Sequence, residues 1–106
     1  MGRALGVTTV TILAAIEHRI CYGLDIVQQT GMLPGTVYTT LRRLERRKLI
    51  EGQWEDADIA EADRRPRRRY YALTPDGVAA LDGARDRLQE LAFELRRSVP
   101  ATGEGE

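Results

Sequence analysis

The sequence predicts a mainly α-helical domain with one small β-hairpin, and two observations support this fold class. Apolar residues recur at helical spacing up to Leu49, where the period changes from about 3.6 residues to about 2. Helical spacing returns after Thr74, where Leu81, Leu88 and Leu95 repeat every seven residues. A chain of 106 residues, 42% apolar and 30% charged, has ordinary globular composition, so we expect a single domain with a modest core.

Three helices are predicted before the change of period. The first covers residues 7–19, and the second runs from Leu24 to Gln29. The third begins at Pro34-Gly35-Thr36, where we expect Thr36 to cap the backbone N–H groups of the first turn. The apolar stripe of this third helix is formed by Val37, Leu41 and Leu44.

A hairpin follows, and a last helix completes the chain. Alternation from Ile50 to Glu55 predicts a half-buried strand with Trp54 on its packed side, and residues 70–74 predict its partner. Residues 57–66 are expected to be a polar loop. Thr74-Pro75-Asp76 opens the last helix, whose seam is Leu81, Ala84, Leu88, Leu91 and Leu95.

The formal net charge is zero, from 16 basic and 16 acidic residues, which at first argues against a nucleic-acid partner. The charges are segregated, however. Residues 42–50 hold five basic side chains, residues 51–63 hold six acids, and residues 64–69 hold five arginines. The first basic block lies opposite the apolar stripe of the third helix, and the second ends the hairpin connection. Two interpretations stay open: solvated faces of an arginine-rich chain, or surfaces for a polyanion.

The predicted element order is that of a winged helix-turn-helix. In that fold a helix enters the major groove of B-DNA, where short side chains near its start reach base edges. Arginines further along neutralise phosphates or pair with guanine, and an arginine-bearing hairpin reaches the adjacent minor groove or backbone. Because the two basic blocks fall on these two elements, sequence-specific DNA binding is the favoured function. A winged-helix protein-interaction module without DNA readout is the alternative.

Two central motifs and one upstream motif carry a family resemblance. They are Tyr22-Gly23-Leu24-Asp25-Ile26, Pro34-Gly35-Thr36-Val37-Tyr38 continuing through Leu41-Arg42-Arg43-Leu44-Glu45, and Pro66-Arg67-Arg68-Arg69-Tyr70-Tyr71-Ala72-Leu73-Thr74. With these motifs, over about residues 10–82, the sequence resembles the PadR family of bacterial transcriptional regulators. The sequence departs from the family at Thr39, where proline is common, and at the acidic insert from Asp56 to Asp63, where a short glycine-containing loop is usual.

The resemblance implies a homodimeric repressor on double-stranded operator DNA. The winged helix-turn-helix domain would cover residues 1–75, the dimerisation helix residues 76–99 and a disordered tail residues 100–106. Expected recognition-helix contacts are Thr36, Tyr38, Thr39, Thr40, Arg42, Arg43 and Arg46. Expected wing contacts are Arg64, Arg65, Arg67, Arg68 and Arg69, and the expected dimer interface is Leu81, Leu88, Leu91 and Leu95. The acidic insert is hypothesised to hold the wing arginines in ion pairs until DNA competes.

Other functions lack the residues they need. There is one histidine, no glycine-rich phosphate loop and no nucleophile motif, so no catalytic activity and no cofactor are predicted. His18 and Cys21 are too few for a structural zinc site, so no metal is expected. No signal peptide and no membrane span are evident, and a single cysteine fits a reducing cytoplasm. Without a separate ligand domain, any small-molecule effector is expected at the dimer interface.

Overall fold

The computed structural model describes residues 5–98, in which three helices precede a hairpin and a long last helix. The elements are α1 (Val7–Glu17), α2 (Gly23–Thr30), α3 (Pro34–Arg46), β1 (Ile50–Trp54), α4 (Ala57–Ala62), β2 (Arg69–Leu73) and α5 (Pro75–Ser98). The mainly helical fold with one antiparallel hairpin is therefore confirmed. The expected tail at 100–106 lies outside the described residues.

The turn between α2 and α3 is set by its two end residues. Gly31 ends α2 with φ of 74°, a left-handed conformation that glycine adopts without steric cost. Pro34 is the first residue of α3, and its fixed φ suits that position. Thr36 was expected to cap α3, and this is wrong: the helix has already begun at Pro34, and its cap residue, Leu33, makes no side-chain bond.

The core lies between α1, α3, β1 and the start of α5. Six of the 11 residues of α1 are buried, so this helix passes through the middle of the domain. The largest fully buried side chains come from five elements: Ile12, Leu13, Ile26, Val37, Leu41, Leu44, Ile50 and Leu81. This arrangement leaves the opposite side of α3 free to face solvent.

The seam of α5 divides between the core and the surface. Leu81 and Ala84 are buried against the rest of the domain, so the expectation that Leu81 forms a dimer interface is wrong. Its side chain is 0% exposed and has no surface to offer a partner. Further along the helix, Leu88, Leu91 and Leu95 are 42%, 55% and 56% exposed.

No helix of the described residues is long and apolar enough to cross a membrane.

The wing, which we define as residues 50–73, is a hairpin with a helix in its connection. Ile50 pairs with Leu73 at one end of the ladder and Trp54 with Arg69 at the other. The connection was expected to be a loop, but it contains α4, capped by Asp56, which accepts a bond from the Asp58 N–H at 3.3 Å. Ala60, on the inner side of α4, is 2% exposed, so packing of this small residue stabilises the helix.

Trp54 does not pack into the core as expected. Its side chain is 55% exposed, while the next residue, Glu55, is 8% exposed. The strand ends at Trp54, so the alternation that assigned the two faces does not extend to Glu55. The wing therefore presents an aromatic ring to solvent and buries a carboxylate.

Candidate nucleic-acid interface

The outer face of α3 presents polar and basic side chains to solvent. We define it as the exposed set Thr36, Tyr38, Thr39, Arg42, Arg43 and Arg46. Thr40 was expected among these contacts, and this is wrong, because it is 3% exposed. Three residues after Val37 and next to Leu41, it lies on the apolar side of the helix.

The arginines of the outer face are free of acidic partners. Within residues 5–98, Arg42, Arg43 and Arg46 form no ion pair. The Arg42 Nη2 lies 3.5 Å from the Thr39 Oγ1. Guanidinium groups in this state can bind phosphate or a guanine edge without first breaking a salt bridge.

Glu55 is the centre of the hydrogen bonding inside the wing. Its two carboxylate oxygens accept bonds from Arg65 Nη1 and Nη2 at 2.6 and 2.8 Å, and Oε1 also accepts the Arg68 N–H at 3.2 Å. Its backbone carbonyl accepts a bond from Arg67 Nε at 2.8 Å. Arg65 was expected to contact DNA, but its guanidinium is already occupied by this carboxylate. Sequence reasoning missed Glu55, because alternation placed it on the solvent side.

Glu55 makes stability depend on acidic pH. Hydrogen bonding from Arg65, helped by the Arg68 N–H, lowers the pKa of Glu55 from 4.5 to about 2. Because the pKa is lower in the folded state, the carboxylate contributes its full stabilisation above pH 4.5 and loses it as pH falls through about 2. We expect Glu55→Gln to melt below the wild type at neutral pH, and the gap to narrow towards pH 2.

Thermal melts followed by circular dichroism across this pH range measure the effect. Glu51→Gln is the matched control, because Glu51 is an exposed carboxylate on β1, the strand that leads to Glu55. We expect it to melt like the wild type. A gap for Glu55→Gln that stays constant with pH would contradict the assignment.

Arg69 connects the wing to α3. Its Nη2 donates to the Glu45 Oε2 at 2.6 Å, across 24 positions of sequence. The side chain crosses β1 at Gly52, where an added Cβ would lie 2.6 Å from the Arg69 Nε. Arg69 was expected to contact DNA, but in the structure its guanidinium is paired with Glu45 and links the wing to α3.

The remaining wing arginines are differently placed. Arg64 and Arg67 are exposed, and the Arg67 Cζ lies 5.9 Å from the centre of the Trp54 ring. Arg68 is half-buried, with its Cζ 4.2 Å from the centre of the Tyr22 ring, a cation–π contact. Tyr22 in turn meets Tyr70 edge to face at 5.5 Å. These contacts hold Arg68 in place without neutralising it.

The acidic insert pairs with the arginines only in part. Asp56, Asp58, Glu61 and Asp63 are all exposed. Among the described residues, the only one of the four in an ion pair is Asp63, 3.2 Å from the Arg65 Nη2. The hypothesis that this insert holds the wing arginines thus applies to Arg65 alone.

Two observations on residues 5–98 concern metal binding and thiol chemistry. These residues hold no group of three or more potential metal ligands. Burial raises the pKa of the Cys21 thiol, which disfavours the thiolate form.

In this chain the basic outer face of α3 lies beside a two-stranded wing. This arrangement defines the winged helix-turn-helix class of DNA-binding proteins. Residues 12–83 match the family described as "Transcriptional regulator PadR-like family", and the chain belongs to this family. It is therefore a DNA-binding transcriptional regulator and not an enzyme. No curated protein matches the chain.

Solved structures share the fold. A PadR-like transcriptional regulator from Bacillus cereus is 23% identical, with a TM-score of 0.75 over 92% of this chain and 95% of that one. A PadR family transcription regulator from Clostridium difficile R20291 is 28% identical, with a TM-score of 0.67 over 86% of this chain and 93% of that one. A mutant of S. aureus MepR bound to an oligodeoxyribonucleotide is 21% identical, with a TM-score of 0.66 over 92% and 67%.

Proposed function

We propose that this protein is a repressor that binds operator DNA as a homodimer, with α3 in the major groove. The observation that carries the proposal is the outer face of α3, whose three arginines have no acidic partner among the described residues. A helix of 13 residues with one basic side and one buried side fits the major groove in the manner of a recognition helix. The S. aureus MepR mutant, bound to an oligodeoxyribonucleotide, supports the same use of the fold.

We assign the contacts by position and charge. Thr36 and Thr39 lie in the first half of α3 and Arg43 in its last turn; all three are assigned to base edges, with Tyr38 beside Thr39. Arg42 and Arg46, and in the wing Arg64, Arg67 and Arg68, are assigned to phosphates. Arg65 and Arg69 act indirectly, since their ion pairs hold the wing in shape and at its angle to α3.

The second half of α5 is assigned to the dimer interface. Leu88, Leu91 and Leu95 leave an apolar face exposed beyond the point where the helix packs on the core. A two-fold axis through such a face buries it against its own copy. The same symmetry would place two α3 helices on successive turns of one DNA face. A protein acting on the chromosome in this way works in the cytoplasm.

The test is selection of bound sequences from a random duplex pool. We expect an inverted repeat with half-sites about one helical turn apart, because a symmetric dimer reads both halves alike. Leu88→Glu combined with Leu91→Glu should sediment as a monomer and enrich half-sites only, whereas Val78→Glu, on the core-packed end of the same helix, should remain dimeric. Val78 is exposed, which makes it a suitable control.

Two outcomes contradict the proposal. A double variant that remains a dimer would show that the interface lies elsewhere. Absence of any enriched sequence would favour the protein-interaction module, for which the exposed acids of α4 are the supporting observation.

A further inference from the structure

A groove between α2, α3 and the wing is lined by aromatic side chains. Its volume is about 520 Å³, and Tyr22, Tyr38, Trp54 and Tyr71 form its walls. Tyr38 packs directly on Gly23, because a Cβ at that position would overlap its ring. Sites for small molecules typically measure about 300–1,000 Å³ and are mostly apolar with a few polar groups. The groove has the dimensions and the composition of such a site.

The groove carries a net positive charge after the arginines that are neutralised by ion pairs are subtracted. Of the arginines that line it, Arg65 is paired with Glu55 and Arg69 with Glu45. Arg67 and Arg68 have no acidic partner among residues 5–98. Two uncompensated guanidinium groups beside stacking surfaces select a ligand that is both planar and anionic.

We propose that this groove binds a free purine mononucleotide, with the base against Trp54 and the phosphate on Arg67 and Arg68. Aromatic rings stack on any nucleobase, and guanidinium groups bind phosphate in a bidentate manner. A groove of about 520 Å³ has room for two fused rings and a sugar phosphate. A nucleotide within duplex DNA is a less favourable occupant of the groove, because its base would first have to be unstacked and unpaired.

The site overlaps the proposed DNA surface. Tyr38, Arg67 and Arg68 belong both to the groove and to the assigned DNA contacts. A bound nucleotide would therefore compete with operator DNA and act as an effector that lowers operator occupancy, from a site beside α3 and not from the dimer interface where the sequence led us to expect an effector. This competition rests on the proposed function, whereas nucleotide binding itself does not.

The experiment uses adenosine monophosphate as the probe and Trp54 as the reporter. Trp54 is the only tryptophan of the chain, so its emission reports on the groove directly. We expect saturable quenching by the nucleotide. Adenosine, which lacks the phosphate, and ribose 5-phosphate, which lacks the base, should each bind at least about tenfold more weakly, since each loses one of the two interactions.

Two arginine variants separate a defined site from bulk charge. Arg68→Gln should weaken nucleotide binding at least about tenfold, as expected when a charge-assisted bond to phosphate is lost. Arg19→Gln, an equal change of charge in the exposed turn between α1 and α2, should leave it unchanged. Equal binding of adenosine, or equal losses in the two variants, would overturn the proposal.

Two further titrations identify the source of the ligand and its consequence. A single-stranded oligonucleotide that binds the groove more tightly than the mononucleotide would overturn the assignment to a free nucleotide. Duplex DNA should be displaced by adenosine monophosphate and not by adenosine. Nucleotide binding in a protein that binds no duplex would leave the groove assignment standing and contradict the proposed function instead, so the two failures are distinguishable.

Discussion

Gly77→Ala is expected to lower the free energy of unfolding by about 3 kcal/mol, the upper part of the range for overpacked sites. An added Cβ would overlap the carbonyl oxygen of Leu49, which is backbone and cannot rotate away. That same oxygen accepts the Thr74 N–H at 3.1 Å, and the Gly77 N–H donates to the Thr74 Oγ1 at 3.0 Å. The substitution therefore disturbs the junction that attaches α5 to the rest of the domain.

Gly83→Ala is the matched control for this prediction. Both glycines lie in α5, but the nearest atom to a Cβ at Gly83 is the flexible Arg87 Nη1, at 3.8 Å. Alanine is favoured over glycine in a helix by about 0.8–1 kcal/mol, so Gly83→Ala should stabilise the protein slightly. Urea denaturation followed by circular dichroism measures both values. Equal effects at the two positions would contradict the close packing of Gly77 against Leu49.

Arg43→Ala is expected to weaken binding to the selected operator by about 1–3 kcal/mol and to relax specificity at one base pair. Arg43 lies on the outer face of α3, in the last turn of the helix, and has no acidic partner within residues 5–98. A bidentate bond to a guanine edge discriminates between bases, so its loss should reduce the ratio of specific to non-specific affinity. Titration of operator and scrambled duplexes measures this ratio.

The control for Arg43 is Arg19→Ala, which removes one positive charge from the exposed turn between α1 and α2. It should leave the specificity ratio unchanged. An Arg43→Ala protein with wild-type affinity and specificity would show that α3 does not read bases through this residue. Uniform weakening on every sequence would assign Arg43 to a phosphate instead.

Local periodicity explains why α3 could be predicted in detail. Val37, Leu41 and Leu44 recur on one side of a single helix, so the position of Arg43 on the other side follows from helix geometry alone. The same helix geometry places Thr40 beside the apolar stripe, so its burial could have been predicted from the sequence. Family resemblance, in contrast, supplied the roles of these residues.

The errors lie where one element meets another. The seam of α5 is continuous in sequence, but Leu81 packs on the core while Leu88 extends past it, which depends on where neighbouring helices end. Glu55 follows a strand that ends at Trp54, and its burial depends on Arg65 folding back from the far side of α4. The alternation along a strand predicts which face each residue occupies, but it does not predict contacts between residues ten or more positions apart.

The salt dependence of binding to the selected operator tests the central claim most directly. If arginines of α3 and the wing neutralise phosphates, the logarithm of affinity should fall linearly with the logarithm of salt concentration, by about 0.9 for each phosphate. Arg67→Ala should reduce that slope by about 1 for each bound subunit, while Arg19→Ala leaves it unchanged. A slope near zero, or one that Arg67→Ala does not alter, would contradict a DNA interface built from these two elements.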